Sequence, residues 1–388
     1  MSKASPVHSA VIEPVGGHGG CNYYDFALCQ SITAAGGRAD LYTCDKTEVT
    51  GTEGFSIHKN YVGVYGPDAA WLRALRFVRG AFSSVRHAWS KGARVAHFHF
   101  YHVGPLEVLS IVLARLFRLK VVITAHDVEA FKRGLSVPIF VRWAYGNADQ
   151  VIAHNMVSRD ELLNTLKIPS SRVRIIPHGN HLQYVPAEVT RSLARSKLGY
   201  SDDEFVIVFF GQIKEVKGLD VLIKAFAKSY EAHRNLRLLI AGKVWKDDFG
   251  KYATIISDLG IEQVVRCEIR YIPDGEVAYF YQCADLIALP YLKIYQSGVV
   301  LMAMSYGRPV LVSDIPGMLE VVEDNVSGLV FRSGDPIDMS RRISQAVESR
   351  ALLDRVAEGG ARRVAEDYDW GVIGRSTLEC YNATLIPR

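Results

Sequence analysis

The chain has 388 residues, 49% of them hydrophobic and 22% charged, which is the composition of a folded globular protein too long for one ordinary core. No stretch reaches the roughly 20 uncharged apolar residues of a spanning helix, and the six cysteines are scattered with no Cys-x-x-Cys pair, which argues against a disulfide scaffold and a structural zinc site. The net charge of +4 is uneven, since residues 1–185 carry 20 Lys+Arg against 13 Asp+Glu and residues 186–388 carry 25 against 28, so the first half is expected to meet an anionic surface.

The opening stretch Met1–Val15 lacks the apolar core and small-residue cleavage site of a signal peptide, so a cytoplasmic location is expected. Strands are predicted at Ala10–Glu13, Ala39–Thr43, Val95–Phe100, Val121–Ala125, Gln150–Ala153 and Val173–Ile176. The first runs into a glycine cluster, Gly16-Gly17-His18-Gly19-Gly20, ahead of the helical stretch Tyr23–Ala35. Glycines there let backbone amides approach a ligand at a helix start, and a tight strand-to-helix turn is the plainer reading.

Between Trp71 and Arg94 the chain carries Arg73, Arg76, Arg79, Arg86, Lys91 and Arg94 with no acid, interleaved with Trp71, Leu72, Leu75, Phe77, Val78, Phe82, Val85 and Trp89. Arg73, Arg76 and Arg79 recur at helical spacing and are expected on one side of a helix facing an anionic membrane. A core helix with a solvated arginine face is the alternative. Nucleic acid is not an expected partner, because the second half is net acidic and no nucleic-acid motif occurs.

The pattern pauses at His181–Asp203 and restarts with strands at Phe205–Phe210, Leu236–Ala241, Val264–Ile269, Asp285–Leu289, Pro309–Val312 and Leu329–Phe331. Strand-helix alternation with unalternating Val, Ile and Phe runs predicts buried parallel sheets. The turn Phe210-Gly211-Gln212-Ile213-Lys214-Glu215-Val216-Lys217-Gly218 places two lysines at the carboxyl end of a strand, where such sheets bind ligands and where cations suit a diphosphate. Further on, Ser297 is placed to cap an apolar helix, with the amides of Gly298 and Val299 aimed at an anion. Glu320 is expected to begin an amphipathic helix, or to contact a ribose or sugar. The only Asp-x-Asp match, Asp367-Tyr368-Asp369, lies away from these loops and is not read as a metal site.

These residues carry a resemblance. The early glycine loop, Thr124-Ala125-His126-Asp127, Ala148-Asp149-Gln150-Val151-Ile152, Ile176-Pro177-His178-Gly179, Phe210-Gly211 with Lys217-Gly218, Ile240-Ala241-Gly242, Ala284-Asp285-Leu286 with Leu289-Pro290, Gly307-Arg308-Pro309-Val310 and Tyr368-Asp369-Trp370 follow in order. The chain resembles the family-4 glycosyltransferases of the GT-B fold over nearly its whole length. Two departures stand out. Gln212 occupies a slot where that family usually has arginine, with Lys214 as the replacement cation. Ile294 and Met302 fall where it usually has paired glutamates. The Ser-Gly and aliphatic helix found instead resemble a branch common among bacterial surface-polysaccharide enzymes.

The resemblance implies an α/β fold of two Rossmann-like domains with parallel sheets facing across a cleft. Residues 1–185 are expected to bind acceptor, 186–203 to form a linker, 204–365 to bind the nucleotide-sugar, and 366–388 to form a C-terminal helix packing back towards the first domain. Gly17, Gly19, Gly211, Gln212, Lys214, Lys217, Ser297, Gly298, Val299 and Glu320 are the expected donor contacts. His126 is expected to touch donor sugar or acceptor, with Asp127 or Glu129 as general base if the enzyme inverts configuration. His18 and His102 are further sugar or acceptor candidates, although His99 and His102 also read as scaffold. No cofactor or metal is expected, the sugar nucleotide (UDP- or GDP-linked) being a substrate. The expected acceptor is a glycan, in particular a lipid-linked oligosaccharide at the inner face of the cytoplasmic membrane. A sugar-nucleotide epimerase of the same fold and a catalytically silent nucleotide-sugar-binding subunit remain as alternatives.

Overall fold

The computed structural model describes residues 6–17, 21–48, 54–126 and 138–386. Two compact units divide the chain, one formed by residues 1–179 with 368–388 and the other by residues 180–367.

The first unit is a seven-stranded parallel sheet. Its strands are β1 (His8–Glu13), β2 (Arg38–Cys44), β3 (Ser56–Tyr61), β4 (Val95–Phe100), β5 (Lys120–Ala125), β6 (Gln150–Ala153) and β7 (Val173–Ile175), in the spatial order β3-β2-β1-β4-β5-β6-β7. The runs HSAVIE and VAHFHF are buried along their whole length, as strands covered on both faces must be. Even the histidines among them lie inside. The edge strand β3 reads SIHKNY and is largely half-exposed. With no apolar run to mark it, this strand was not anticipated from sequence. Helices α1 (Cys21–Ala34), α2 (Ala70–Ser90), α3 (Pro105–Leu116), α4 (Pro138–Gly146) and α5 (Met156–Asn164) connect the strands.

Helix α2 buries Phe77, Gly80, Ala81, Ser84, Val85 and Ala88. Its outer side is a stripe of Trp71, Leu75, Arg79, Phe82, Arg86 and Trp89, all exposed, at the three-and-four spacing of one helix face. This corrects the expected basic triad. Arg73 and Arg76 are half-buried, and Arg76 is tied 2.9 Å from the Gly63 carbonyl and to Asp68. Arg79 is the one member of the triad on the outer stripe, and Arg86 joins it there.

The second unit carries β8 (Phe205–Phe210), β9 (Leu236–Ala241), β10 (Val265–Glu268), β11 (Leu286–Leu289), β12 (Val310–Ser313) and β13 (Leu329–Phe331), ordered β10-β9-β8-β11-β12-β13 and all parallel. Its helices are α6 (Arg191–Leu198), α7 (Leu219–Ala232), α8 (Gly250–Asp258), α9 (Asp274–Cys283), α10 (Gly298–Ser305), α11 (Pro316–Leu319), α12 (Pro336–Glu348) and α13 (Arg350–Glu366). Both sheets reverse direction of growth beside their first strand, between β1 and β4 and between β8 and β11. Ligands of open α/β sheets bind at the carboxyl ends of strands at such a switch point.

Residues 186–203, expected as a linker, contain α6, and the change of unit falls earlier, between Gly179 and Asn180. The helix starts on a Thr190 cap to the Leu193 amide and ends at Gly199 with φ 74°. An ion pair holds it in place. Arg195, 1% exposed, and Arg191 each place a guanidinium nitrogen 2.5 Å from the Asp285 carboxylate, which also accepts the Val206 amide at 2.8 Å. Polar residues that read as linker are thus the side of a knot whose partner lies some 90 positions on.

The last helix, α14 (Trp370–Leu385), returns to the first unit and packs on α1. Gly374 permits this, because a Cβ there would lie 2.3 Å from the Ser31 carbonyl oxygen. Asp369 caps α14 through the Val372 amide at 3.0 Å.

Removing one side of a buried ion pair strands the other. Asp285→Ala is therefore expected to destabilise the second unit by roughly 3–5 kcal/mol in urea unfolding, whereas a change under about 0.5 kcal/mol would match only a surface substitution.

Candidate functional site

At the carboxyl end of the first sheet, four neighbouring strands each deliver one histidine. His99 lies on β4, and His126, His154 and His178 follow β5, β6 and β7. Their ring centroids are 5.1, 5.0 and 5.6 Å apart in sequence order. That spacing approximates the distance between hydrogen-bonded strands. Tyr24 of α1 touches all four rings and Trp370 of α14, at 4.8 to 5.5 Å. Tyr101 stacks on His126 at 4.9 Å.

These imidazoles are kept neutral. Burial pulls His99 and His154 down to about 3 and His178 down to about 4. Burial, and then the neighbouring histidines, hold His126 and His97 well below the ordinary value. Beneath them lies a buried pair of acids. Glu13 accepts the Val15 amide at 2.8 Å and the Gly16 amide, and Asp25 accepts from His99 Nδ1 at 2.7 Å. Burial, followed for Glu13 by the charge of Asp25, pushes both carboxyls well up. Two adjacent carboxyls in a dry site keep a proton between them.

This explains the glycine loop differently from the expectation. The amides of Val15 and Gly16 are already engaged by Glu13. Gly16 has φ 65°, and a Cβ would lie 2.3 Å from Thr47 Oγ1; one on Gly17 would lie 2.7 Å from the Lys46 carbonyl. Close packing against the stretch after β2 requires these glycines, so Gly17 stands as part of a tight turn. His18, Gly19, Asp127 and Glu129 lie outside the described residues. His102 is exposed and 3.6 Å from Glu107, at the start of α3 and off the histidine row.

In the second unit the ends of β8, β9 and β11 meet. A Cβ on Gly242 (φ 150°) would lie 1.7 Å from the Gly211 carbonyl oxygen, and one on Gly211 (φ 118°) would lie 3.5 Å from Val299. The Gly211 turn therefore abuts the start of α10. Lys214 begins a 3-10 turn, Glu215–Lys217, that leads to Gly218 in the left-handed conformation. Lys217 Nζ sits 3.6 Å over the Tyr291 ring, and the Leu292 amide donates to Val216 at 2.9 Å. The loop from Pro290 to Ser297 is thus bound to the lysine turn. Gln212 is exposed at its edge.

Ser297 is the N-cap residue of α10, but its hydroxyl makes no cap bond, contrary to expectation. It is turned into the protein beside the Tyr291 phenol, whose burial-raised pKa it lowers. Among the described residues, Ser297 thus leaves the first amides of α10 uncapped. A Cβ on Gly298 would meet nothing within 4 Å. Open space at Gly298, at a helix start that abuts the Gly211 turn, is a place for an anion. Glu320 differs from its expected place. It follows the short helix α11 as its C-cap, where a carboxylate gains nothing from the dipole. Its carbonyl accepts from Arg363 at 3.1 Å.

Sequence reasoning missed Glu13, Asp25, Tyr24 and His154. Tyr291 and Gly242 stood in or beside quoted motifs without a role.

Residues 190–363 match the family model described as Glycosyl transferases group 1, and residues 18–184 match Glycosyltransferase Family 4. A D-inositol 3-phosphate glycosyltransferase of Nocardia farcinica is 27% identical over 309 residues, covering 75% of this chain and 66% of that protein. Four curated relatives, three of them D-inositol 3-phosphate glycosyltransferases, are matched over 53 to 66% of their own length. Among solved structures, the sucrose-phosphate synthase of Thermosynechococcus elongatus aligns with TM-score 0.76 at 19% identity, over 97% of this chain and 98% of that one. HepE of Anabaena in complex with UDP-glucose aligns with TM-score 0.73 at 17% identity, over 97% and 100%. At these identities the structures speak for the fold.

The neutral histidines set an acid limit. Their folded pKa values lie below the unfolded value of about 6.5, so the stability they contribute is complete above that pH and is lost as pH falls. Glu13 and Asp25 act in the opposite sense, since their raised values favour the folded state at low pH. Five histidines outweigh two acids. The melting temperature should fall steadily from about pH 6.5 to about pH 4; a flat profile across that window would contradict the neutral row.

Proposed function

The chain belongs to the family-4 glycosyltransferases of the GT-B fold, and on that premise we propose that it transfers a sugar from a UDP- or GDP-sugar to a glycan acceptor, in particular a lipid-linked oligosaccharide of cell-surface polysaccharide synthesis. The observation that carries the donor reading is the uncapped start of α10, with open space at Gly298 and Lys217 braced on Tyr291 beside it. The diphosphate binds there, held by the amides of Gly298 and Val299 and by Lys214 and Lys217. Gly211 and Gln212 line the approach.

The chemistry follows from that placement. An acceptor hydroxyl oxygen forms the new bond to the anomeric carbon while the bond from that carbon to the phosphate oxygen breaks. The nucleoside diphosphate leaves with the electron pair, and the hydroxyl proton passes to a phosphate oxygen or to a protein base. Helix amides and lysines stabilise the charge that grows on the leaving group. His126 serves the sugar side of the reaction. The epimerase alternative needs an acid as well as a base at the sugar, and the neutral histidine row holds no imidazolium to serve as the acid at ordinary pH.

Membrane association is part of the same reading. No helix among the described residues is long and apolar enough to cross a membrane. The outer stripe of α2, with Trp71 at 71% and Leu75 at 59% exposure, continues through Phe82 and Trp89 onto Phe117 and the exposed Leu116 of α3. An apolar stripe carrying Arg79 and Arg86 suits the interface of an anionic leaflet.

Three measurements test this. Gly298→Leu should keep the melting temperature, because the site is open, and should abolish UDP or GDP binding by calorimetry. Lys217→Ala should weaken that binding about tenfold; full affinity in both variants would remove the diphosphate from this place. Arg79→Glu with Arg86→Glu should lose co-sedimentation with phosphatidylglycerol vesicles, each arginine contributing about 1 kcal/mol. Equal binding of wild type to neutral and anionic vesicles would leave α2 a plain structural helix.

A further inference from the structure

A carbonyl oxygen accepts hydrogen bonds and never donates one. The Ile176 carbonyl lies 2.9 Å from His154 Nδ1, so that nitrogen carries a proton. The position of the carbonyl is fixed by the sheet, since the Ile176 amide donates to Ala153 at 2.9 Å in the register of β6 with β7. His154 is neutral, held down by burial, so its Nε2 is a lone pair. His126 Nδ1 lies 3.3 Å from that lone pair and must donate to it. His126 is neutral as well, and its single proton is thereby spent on Nδ1. Its Nε2 is left bare, buried, and without a hydrogen-bond partner among the described residues.

We propose that His154 is a positioning residue that locks His126 in its Nδ1–H tautomer, so that His126 Nε2 accepts a hydrogen bond from a hydroxyl of the sugar substrate. The proposal rests on the glycosyltransferase reading for its ligand, but the tautomer lock stands without it, on the hydrogen bonds between two neutral rings. A buried bare nitrogen is costly until a donor reaches it. A phosphate or carboxylate oxygen brings another lone pair and is refused. A hydroxyl satisfies the nitrogen and is oriented by it. Tyr24, packed edge-on against His126 and His154 at 4.9 and 5.4 Å, and Tyr101, stacked on His126, hold the ring planes in register. His126 in this state holds a hydroxyl; it donates no proton from Nε2.

The test is nitrogen-15 NMR of the full chain labelled at histidine, at neutral pH. Wild type should show His126 protonated at Nδ1 and bare at Nε2. His154→Phe should release the lock, and an Nε2–H form of His126 should appear. His154→Gln, which keeps an acceptor oxygen near the place of Nε2, should preserve the wild-type tautomer. With the UDP- or GDP-sugar that the wild type turns over, His154→Phe should lower kcat/KM about tenfold or more, while affinity for the free nucleotide stays unchanged and His154→Gln recovers most of the loss. An Nε2-protonated His126 in wild type, or an unchanged tautomer in His154→Phe, would overturn the proposal. So would full turnover in that variant. If no sugar nucleotide is turned over by wild type, the glycosyltransferase reading fails while the spectra still decide the lock.

Discussion

The first unit's chemistry depends on parallel pairing from β4 to β7. In a parallel sheet all strands end on the same side, at a lateral step of about 4.8 Å. Side chains placed one per strand end are therefore brought into a row, whatever their separation in sequence. His99, His126, His154 and His178 stand at centroid distances of 5.0 to 5.6 Å for that reason. Tyr24 then closes the row from the helix that follows β1. Slipping one strand by a residue would turn its histidine to the other face and break the row.

The two units use opposite electrostatic means. The first builds a dry site whose imidazoles are too deeply buried to hold a charge, and whose acids share a proton rather than ionise together. The second leaves helix amides uncapped and braces a lysine on a tyrosine face. A neutral polyol suits the first environment and an oxyanion suits the second. The two glycines at the ends of β8 and β9 belong to the second arrangement, because their backbones approach more closely than any side chain permits.

Most strands were legible. Val95–Phe100, Gln150–Ala153, Phe205–Phe210, Leu236–Ala241 and Leu329–Phe331 were anticipated at their observed bounds, because fully buried parallel strands are continuous apolar runs between turn residues. β3 was not, since an edge strand of Ser, His, Lys and Asn carries no such signal. α6 was hidden because its stabilising partner, Asp285, is remote in sequence. The lysine turn and the Gly298 loop were visible as local motifs. The histidine row was not, because 24 to 28 residues separate its members and only the sheet brings them together. The cap assigned to Ser297 and the helix start assigned to Glu320 failed for a shared reason. Residue type suggests a role at a helix end, but the loop's path decides which way the side chain turns.

The return of α14 to the first unit makes the second unit, in the order of the chain, an insertion. Gly374 presses against Ser31, and Ile373, Cys380 and Tyr381 share a core with Val11, Cys29 and Leu41. A ribosome delivers the sheet strands of the first unit early and their covering helix last, after the whole of residues 180–367. Until then one face of α1 and the apolar residues beneath it lack their cover. The second unit, continuous in sequence, has every strand and helix it needs before the first is complete. Birth order and folding order therefore part company in this chain: the half that begins first is the half that must wait.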